Sequence, residues 1–537
     1  MVWFSSTASD DIGSTLTPSN AIRPCTGFGP GTGSVRAAYP VAHATSANTA
    51  SPPAVLLNAP AEVLILIPLL NSGGRPGHPC PPERSRPPQV PPQYRFPPRF
   101  ASSAWQIAVA CAGPPRPPGA TLTLRYFPAP PEAPITAPVT RSERIASIDV
   151  LRGFAVLGIL IVNIQVFGRV ATAYVNPFSG RVLEGADLWT WATIFTFADT
   201  KFISIFSLLF GVGIAMMSDR ASERGISATG LHYRRQLWLL VIGLAHALLI
   251  WHGDVLAAYA VCGFLLYGLR DLNPRRQLWI GGCAVAVVAV FLGLLILTIP
   301  YWPEAERAAA LAEWAPSQEV LAAEIEAFRG SWSEQLRERV ALYGYVLAAV
   351  PACRLWRAGG LMIVGMAFYR LGIVTGARST AFYRRMALFG LVAGLPLAAW
   401  AAAYRVRPGV AWEEAMFYGE LLNYVGSLGV FLGYLALVML MVKGDWLPRL
   451  RRRLAAVGRM ALTNYLTQSI LCSLIFYGHG LGLFERVGGL GQVGIVAAIW
   501  ALQLAWSPWW LARFRFGPFE WIWRSATYMA WQPMKRS

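Results

Sequence analysis

The stretch Ala146-Ser147-Ile148-Asp149-Val150-Leu151-Arg152-Gly153-Phe154-Ala155-Val156-Leu157-Gly158-Ile159-Leu160-Ile161-Val162-Asn163-Ile164-Gln165-Val166-Phe167-Gly168 is apolar along its length, with Asp149 and Arg152 its only charges. About 20 consecutive apolar residues make one helix able to cross a bilayer. Comparable runs follow to the C-terminus, approximately at 191–217, 236–251, 255–269, 277–299, 341–369, 386–403, 416–442, 456–477 and 490–511. The chain of 537 residues is 55% hydrophobic and 14% charged. That is too apolar for several soluble domains, each of which needs a charged surface. The expected fold is all-α: a polytopic transmembrane helical bundle of about ten helices. The same composition excludes collagen, a disordered hub and a disulfide scaffold for most of the chain.

The formal net charge is +18, but its distribution points to a bilayer, not to nucleic acid. With the N-terminal side of the first span in the cytoplasm, the cytoplasmic loops hold 23 Lys and Arg residues, Arg220, Arg275, Arg378, Arg451 and Arg513 among them, against nine on the other side. Such a bias orients membrane proteins. It predicts an even number of spans, both termini in the cytoplasm, and residence in a bacterial inner (plasma) membrane. Segment 300–340 carries eight Glu against four Arg and reads as an amphipathic extracytoplasmic cap. It separates N-terminal membrane helices (141–299) from a C-terminal membrane domain (341–537).

Residues 1–140 hold 27 of the 39 prolines. Pairs such as Pro81-Pro82 and Pro97-Pro98 cannot stay helical, so this extension is expected to be disordered, or to reflect a start site placed too far upstream. The seven cysteines sit singly, with no C-x-x-C pair, and read as small buried hydrophobes. Without H-E-x-x-H or a Cys/His cluster, no metal is expected. No Walker-type lysine loop, G-x-S-x-G elbow or dinucleotide fingerprint occurs, so no permanently bound cofactor is expected either.

Charges inside spans carry the functional reading, because each is normally paired or lines a cavity. Asp149 and Arg152 share a helix face at i and i+3. They are a structural pair or a handle for an anionic group. Asn163 adds a polar group farther along the same span. Asp199 and Lys201 fall inside the second span. Arg354 and Arg357 lie in 341–369, which Pro351 marks as a broken helix or half-span. Asn464 belongs to a polar stripe with Thr463 and Gln468 that reads as interhelical packing. The stretches 236–251 and 255–269, about 16 and 15 residues, each cover roughly 24 Å of a core about 30 Å thick. Their turn, Trp251-His252-Gly253-Asp254, should therefore be recessed. There His252 could accept a proton and Asp254 orient the ring or hold a substrate. His246, on a different helical face, reads as a core hydrogen-bonding residue. After the last span, Pro518 starts an interfacial helix in which Glu520 and Arg524 are spaced i, i+4.

Four motifs, Asp149-Val150-Leu151-Arg152-Gly153-Phe154-Ala155 with Asn163, His252-Gly253-Asp254, Gly458-Arg459-Met460-Ala461-Leu462-Thr463-Asn464-Tyr465 and Gly517-Pro518-Phe519-Glu520-Trp521-Ile522-Trp523-Arg524, resemble in order the YeiB family of bacterial inner-membrane proteins, whose C-terminal half is a domain of unknown function. The resemblance covers about 141–537. That family is similar to a wider group of membrane acyltransferases that includes the heparan glucosaminide acetyltransferases. This implies ten or eleven helices, an acyl donor such as acyl-CoA reached from the cytoplasm, and a small-molecule or glycan acceptor outside. Those enzymes place a catalytic histidine in or just after the first span. This chain has none between His78 and His232, so the resemblance passes that role to His252. The alternative reading is a transporter or flippase for a small anionic or glycan-related solute, its path lined by Asp149, Arg152, Asp199, Lys201, Arg354 and Arg357.

Overall fold

The structure, a computed structural model, describes residues 145–349 and 355–536; the proline-rich extension with its expected disorder, and Arg354, lie outside the described residues. Helix α1 (Ala146–Gly168) coincides with the first apolar stretch. It is followed by α2 (Gly185–Phe197), α3 (Lys201–Glu223), α4 (Thr229–Leu249), α5 (Leu256–Leu266) and α6 (Pro274–Thr298). Next come α7 (Glu304–Trp314), α8 (Gln318–Arg329), α9 (Trp332–Ala349) and α10 (Leu355–Arg370). The C-terminal helices are α11 (Thr380–Arg405), α12 (Gly419–Lys443), α13 (Pro448–Arg459), α14 (Ala461–Phe476), α15 (Gly489–Arg513) and α16 (Pro518–Tyr528). The described residues form no β-strand, so the fold is all-α.

Among the described residues, six segments are long and apolar enough to cross a membrane: Ala146–Gly168, Gly185–Glu223, Pro274–Tyr301, Thr380–Arg405, Glu414–Lys443 and Gly489–Arg513. The chain is a membrane protein. In α1 and in the α2–α3 segment 61% of the apolar window is buried, against 28% for α6 and α11 and 22% for α15. The first two therefore lie at the centre and the last three at the periphery. Trp279, Val290, Leu297, Phe389 and Trp509 project from those peripheral helices into the surroundings, as a lipid-facing surface requires.

Helices outnumber the apolar stretches, in part because two stretches break among the described residues. The run 191–217 breaks at Ala198-Asp199-Thr200, where Thr200 adopts a left-handed φ of 61°. The run 456–477 divides at Met460 into α13 and α14. The run 341–369 holds the end of α9 and all of α10, and residues 350–354 between them, with Pro351, lie outside the described residues. Segment 300–340 folds into α7, α8 and the start of α9.

The arginine-rich connections gather at one end of the bundle, here the basic end. There Ser147 Oγ donates to the Val374 carbonyl at 2.9 Å, Arg370 pairs with Asp219 at 2.6 Å, and Lys443 Nζ donates to the Gly376 carbonyl at 2.9 Å. Helices α7 and α8 sit at the opposite, cap end. There Glu324 Oε1 accepts the Ala171 N–H at 2.7 Å and Glu485 Oε1 accepts the Val170 N–H at 2.9 Å, so two glutamate side chains hold the chain where it leaves α1.

Three of the four sequence motifs meet at the basic end. A Cβ on Gly458 would collide with the Asp149 carbonyl, and one on Gly153 with that of Leu454, so α1 and α13 touch backbone to backbone. Small residues permit such close packing in membranes. Glu520, which the sequence spacing sets opposite Arg524, has another job. Its Oε1 accepts the N–H groups of Leu462 and Thr463 at 2.7 and 3.1 Å, and its Oε2 accepts the Thr463 hydroxyl at 2.5 Å. A residue of α16 thus supplies the acceptors that the buried first turn of α14 lacks.

Candidate functional site

The α4–α5 hairpin builds the sharpest chemical feature. Asp254 precedes α5, and its Oδ2 accepts the Ala257 N–H at 2.8 Å, capping the helix. Its Oδ1 lies 2.9 Å from His246 Nδ1. Both residues are only 2% exposed. A Cβ on Gly243 would collide with the Ala257 nitrogen and crowd Asp254 Oδ2, so glycine there lets the first turn of α5 approach α4. With the carboxylate accepting from Nδ1–H, the imidazole is held as the tautomer whose Nε2 lone pair faces away. That buried Nε2 has no hydrogen-bond partner.

Aromatic rings enclose the pair. Tyr465 of α14 lies 5.2 Å from the His246 ring, and Trp251 stacks on Phe167 of α1 at 4.2 Å. His252 is 5% exposed and tucked under α8, its ring 6.0 Å from Phe328 and 6.1 Å from Trp251. The recessed turn is therefore buried beneath the cap, and Asp254 orients His246 where the sequence set it beside His252. The hairpin explains the difference: α4 ends three residues after His246, and the chain reverses, bringing positions eight apart face to face.

A second polar cluster occupies the break between α2 and α3. Asp199 accepts the Tyr174 hydroxyl at 2.9 Å and the Asn423 amide at 2.7 Å. Lys201, fully buried, donates to Asn423 Oδ1 at 2.6 Å and to the Phe195 carbonyl at 2.8 Å. The Asp199–Lys201 pairing is thus relayed through Asn423 of α12. Next to it, Arg357 Nη2 donates to Ser204 and Ser427 at 3.0 and 2.8 Å, and its guanidinium lies 4.4 Å over the Tyr424 ring.

The other sequence candidates are dispersed. Asp149 and Arg152 pair at 3.3 Å near the basic end, with side chains 14% and 27% exposed. Asn163 is half-buried on α1 and joins neither cluster. Asn464 is fully buried and bonded to the Val457 carbonyl, Ser507 and Trp506, which makes it a brace between α14 and α15. His479 meets Gln335 at 2.7 Å, and burial together with the Arg339 charge depresses its pKa. At the cap, burial raises the Glu324 carboxyl to about 8, helped by the charges of Glu338 and Glu485. Sequence reasoning passed over Asn423 and Tyr465, and it read His246 as a core hydrogen-bonding residue without pairing it with Asp254. For His246 a signal existed: a histidine three residues before a helix end and an aspartate just before the next helix.

A family model described as a protein of unknown function (DUF418) matches residues 368–530. The chain is 33% identical over 397 residues to the uncharacterised protein YeiB of Escherichia coli strain K12, covering 73% of this chain and 98% of that one. It is 31% identical over 417 residues to the uncharacterised protein YxaH of Bacillus subtilis strain 168, covering 74% and 98% respectively. An uncharacterised 39.9 kDa protein encoded 3′ of an amylase gene in Bacillus acidopullulyticus is 27% identical over 400 residues.

Proposed function

The chain belongs to the YeiB-like family of uncharacterised membrane proteins, and from that premise we propose that it is a transmembrane acyltransferase whose general base is His246, oriented by Asp254. The observation that carries this reading is the 2.9 Å Asp254–His246 contact with an unpartnered Nε2 on the far side of the ring. A carboxylate that fixes the tautomer and stabilises the imidazolium is how histidine bases work in acyl transfer.

The acceptor hydroxyl or amine gives its proton to Nε2 as its oxygen or nitrogen bonds to the thioester carbonyl carbon. The C–S bond then breaks, and the departing thiolate takes the proton back from His246. In this reading the basic end faces the cytoplasm with both termini. The donor is an acyl thioester such as acyl-CoA, whose anionic part meets Arg152. The acceptor is a small molecule or glycan on the other side of a bacterial inner membrane.

The test uses full-length protein in proteoliposomes, radiolabelled acetyl-CoA and a panel of sugar and lipid-linked acceptors. His246→Gln and Asp254→Asn should each lower transfer by roughly 10²-fold or more with unchanged melting temperature, and His252→Gln should lower it far less. Wild-type transfer rates in His246→Gln would remove His246 as base. A transport reading draws on a different observation, the discontinuous α2–α3 helix with Asp199 and Lys201 at its break, since broken helices build many transporter sites. Saturable solute uptake lost in Asp199→Asn, with no acyl transfer by the wild type, would favour it.

A further inference from the structure

Arg357 stands about 20 Å from the basic end, thirteen residues above Arg370 along α10. Two of its five N–H bonds, both on Nη2, hold Ser204 and Ser427. Those hydroxyls donate their own protons to the Thr200 and Tyr424 carbonyls, so they present lone pairs to the arginine and are locked in place. The Tyr424 ring fixes the guanidinium plane, and the Tyr424 hydroxyl is itself anchored on the Val285 carbonyl at 2.7 Å. The remaining N–H bonds, one on Nε and two on Nη1, are buried and meet no acceptor.

Charge accounting makes the same point independently. Among the described residues no carboxylate lies within ion-pair distance of Arg357. Its charged neighbour Lys201 is offset by Asp199. The other acid acting on Lys201, Glu420, is bound to Arg405 at 2.6 Å. Among the described residues, two cations and one carboxylate leave this part of the bundle with one excess positive charge. An unopposed cation at such depth is costly unless something neutralises it. The residue as a whole is half-buried, while its unpaired N–H groups lie inside the protein.

We propose that Arg357, braced by Ser204, Ser427 and Tyr424, is a binding site for one singly charged oxyanion, a carboxylate or a phosphate monoester monoanion. A single negative charge completes the local balance, and the free N–H groups supply charge-assisted hydrogen bonds. The site is separate from the His246–Asp254 pair and stands whether or not that pair transfers acyl groups.

Calorimetric titration of the full-length chain in detergent, with sodium acetate and with sodium methyl phosphate at constant ionic strength, tests it and tells the two oxyanions apart. The wild type should bind one of them saturably with a stoichiometry near one. Arg357→Gln should weaken binding by at least about tenfold. Asp199→Asn, which removes the compensating charge, should tighten binding by roughly tenfold, the order expected for the loss of one nearby unit charge at an effective dielectric near 20. Absence of saturable binding for both probes, or unchanged affinity in Arg357→Gln, overturns the proposal. If Arg357→Gln does not fold, Asp199→Asn decides, because unchanged or weaker binding in that variant refutes an anion site.

Discussion

Replacing Glu324 by Gln should stabilise the cap, and more so as the pH rises. The carboxyl is 9% exposed, and its Oε1 accepts the Ala171 N–H, a bond that a glutamine oxygen can keep. Burial lifts its pKa from the ordinary 4.5 to about 8, the Ala171 hydrogen bond works against that rise, and the charges of Glu338 and Glu485 add to it. An acid whose pKa is raised on folding binds more protons folded than unfolded. Stability therefore falls as pH increases through the interval between the two values. Below pH 4.5 both states are protonated and nothing is lost. With about 1.36 kcal/mol per pKa unit, the loss is roughly 1 kcal/mol at pH 5, about 3 at pH 7 and near 5 at pH 9, as upper values. Glu324→Gln removes that dependence. Hydrogen exchange of α7, α8 and 169–171, followed from pH 5 to pH 9, measures it. Wild-type protection should fall with pH, and the variant should hold level and exceed the wild type most at pH 9. A wild-type cap that tightens with pH, or a variant less protected at pH 9, would show that Glu324 docks as a carboxylate and refute the reasoning.

Two further expectations concern the basic end. Glu520→Ala leaves the buried N–H groups of Leu462 and Thr463 without their acceptor and should cost about 1–3 kcal/mol, read as a lowered melting temperature in detergent; Glu520→Gln, which keeps an acceptor oxygen, should recover part of the loss. Gly458→Val drives a side chain into the α1 backbone at Asp149; overpacking of about 1–3 kcal/mol or more should appear as reduced yield and thermal stability, while Gly494→Ala, with open space around its Cβ position, should behave as wild type.

The fold was legible because bilayer-spanning helices announce themselves by length and apolarity, and the run 146–168 needed no correction at either end. The breaks were harder to see. At Ala198-Asp199-Thr200 nothing local forbids a continuous helix. The interruption goes with tertiary bonds, from Tyr174 and Asn423 to Asp199 and from Lys201 to Asn423, that no sequence window contains. Glu520 taught the same lesson, since spacing along one helix paired it with Arg524 while its oxygens serve another helix. The candidate site was half legible. Asp254 was found, but its partner was sought among residues adjacent in sequence, whereas a helical hairpin makes neighbours of residues equally far from the turn.

That same hairpin logic ties the histidine to the fold. Asp254 serves two groups at once, the Ala257 N–H and His246 Nδ1, so the cap of α5 and the orientation of the histidine cannot vary independently. Glycine at 243 sets the α4–α5 distance on which both depend. The imidazole is held by the same contacts that make the hairpin fold, and a substitution at Asp254 acts on structure and chemistry together. Asp254→Asn separates them: the asparagine oxygen can still cap Ala257, but it no longer offers the negative charge that stabilises an imidazolium. A variant that melts like the wild type yet has lost transfer assigns the charge of Asp254 to catalysis, whereas one that has lost both assigns the residue to the hairpin alone.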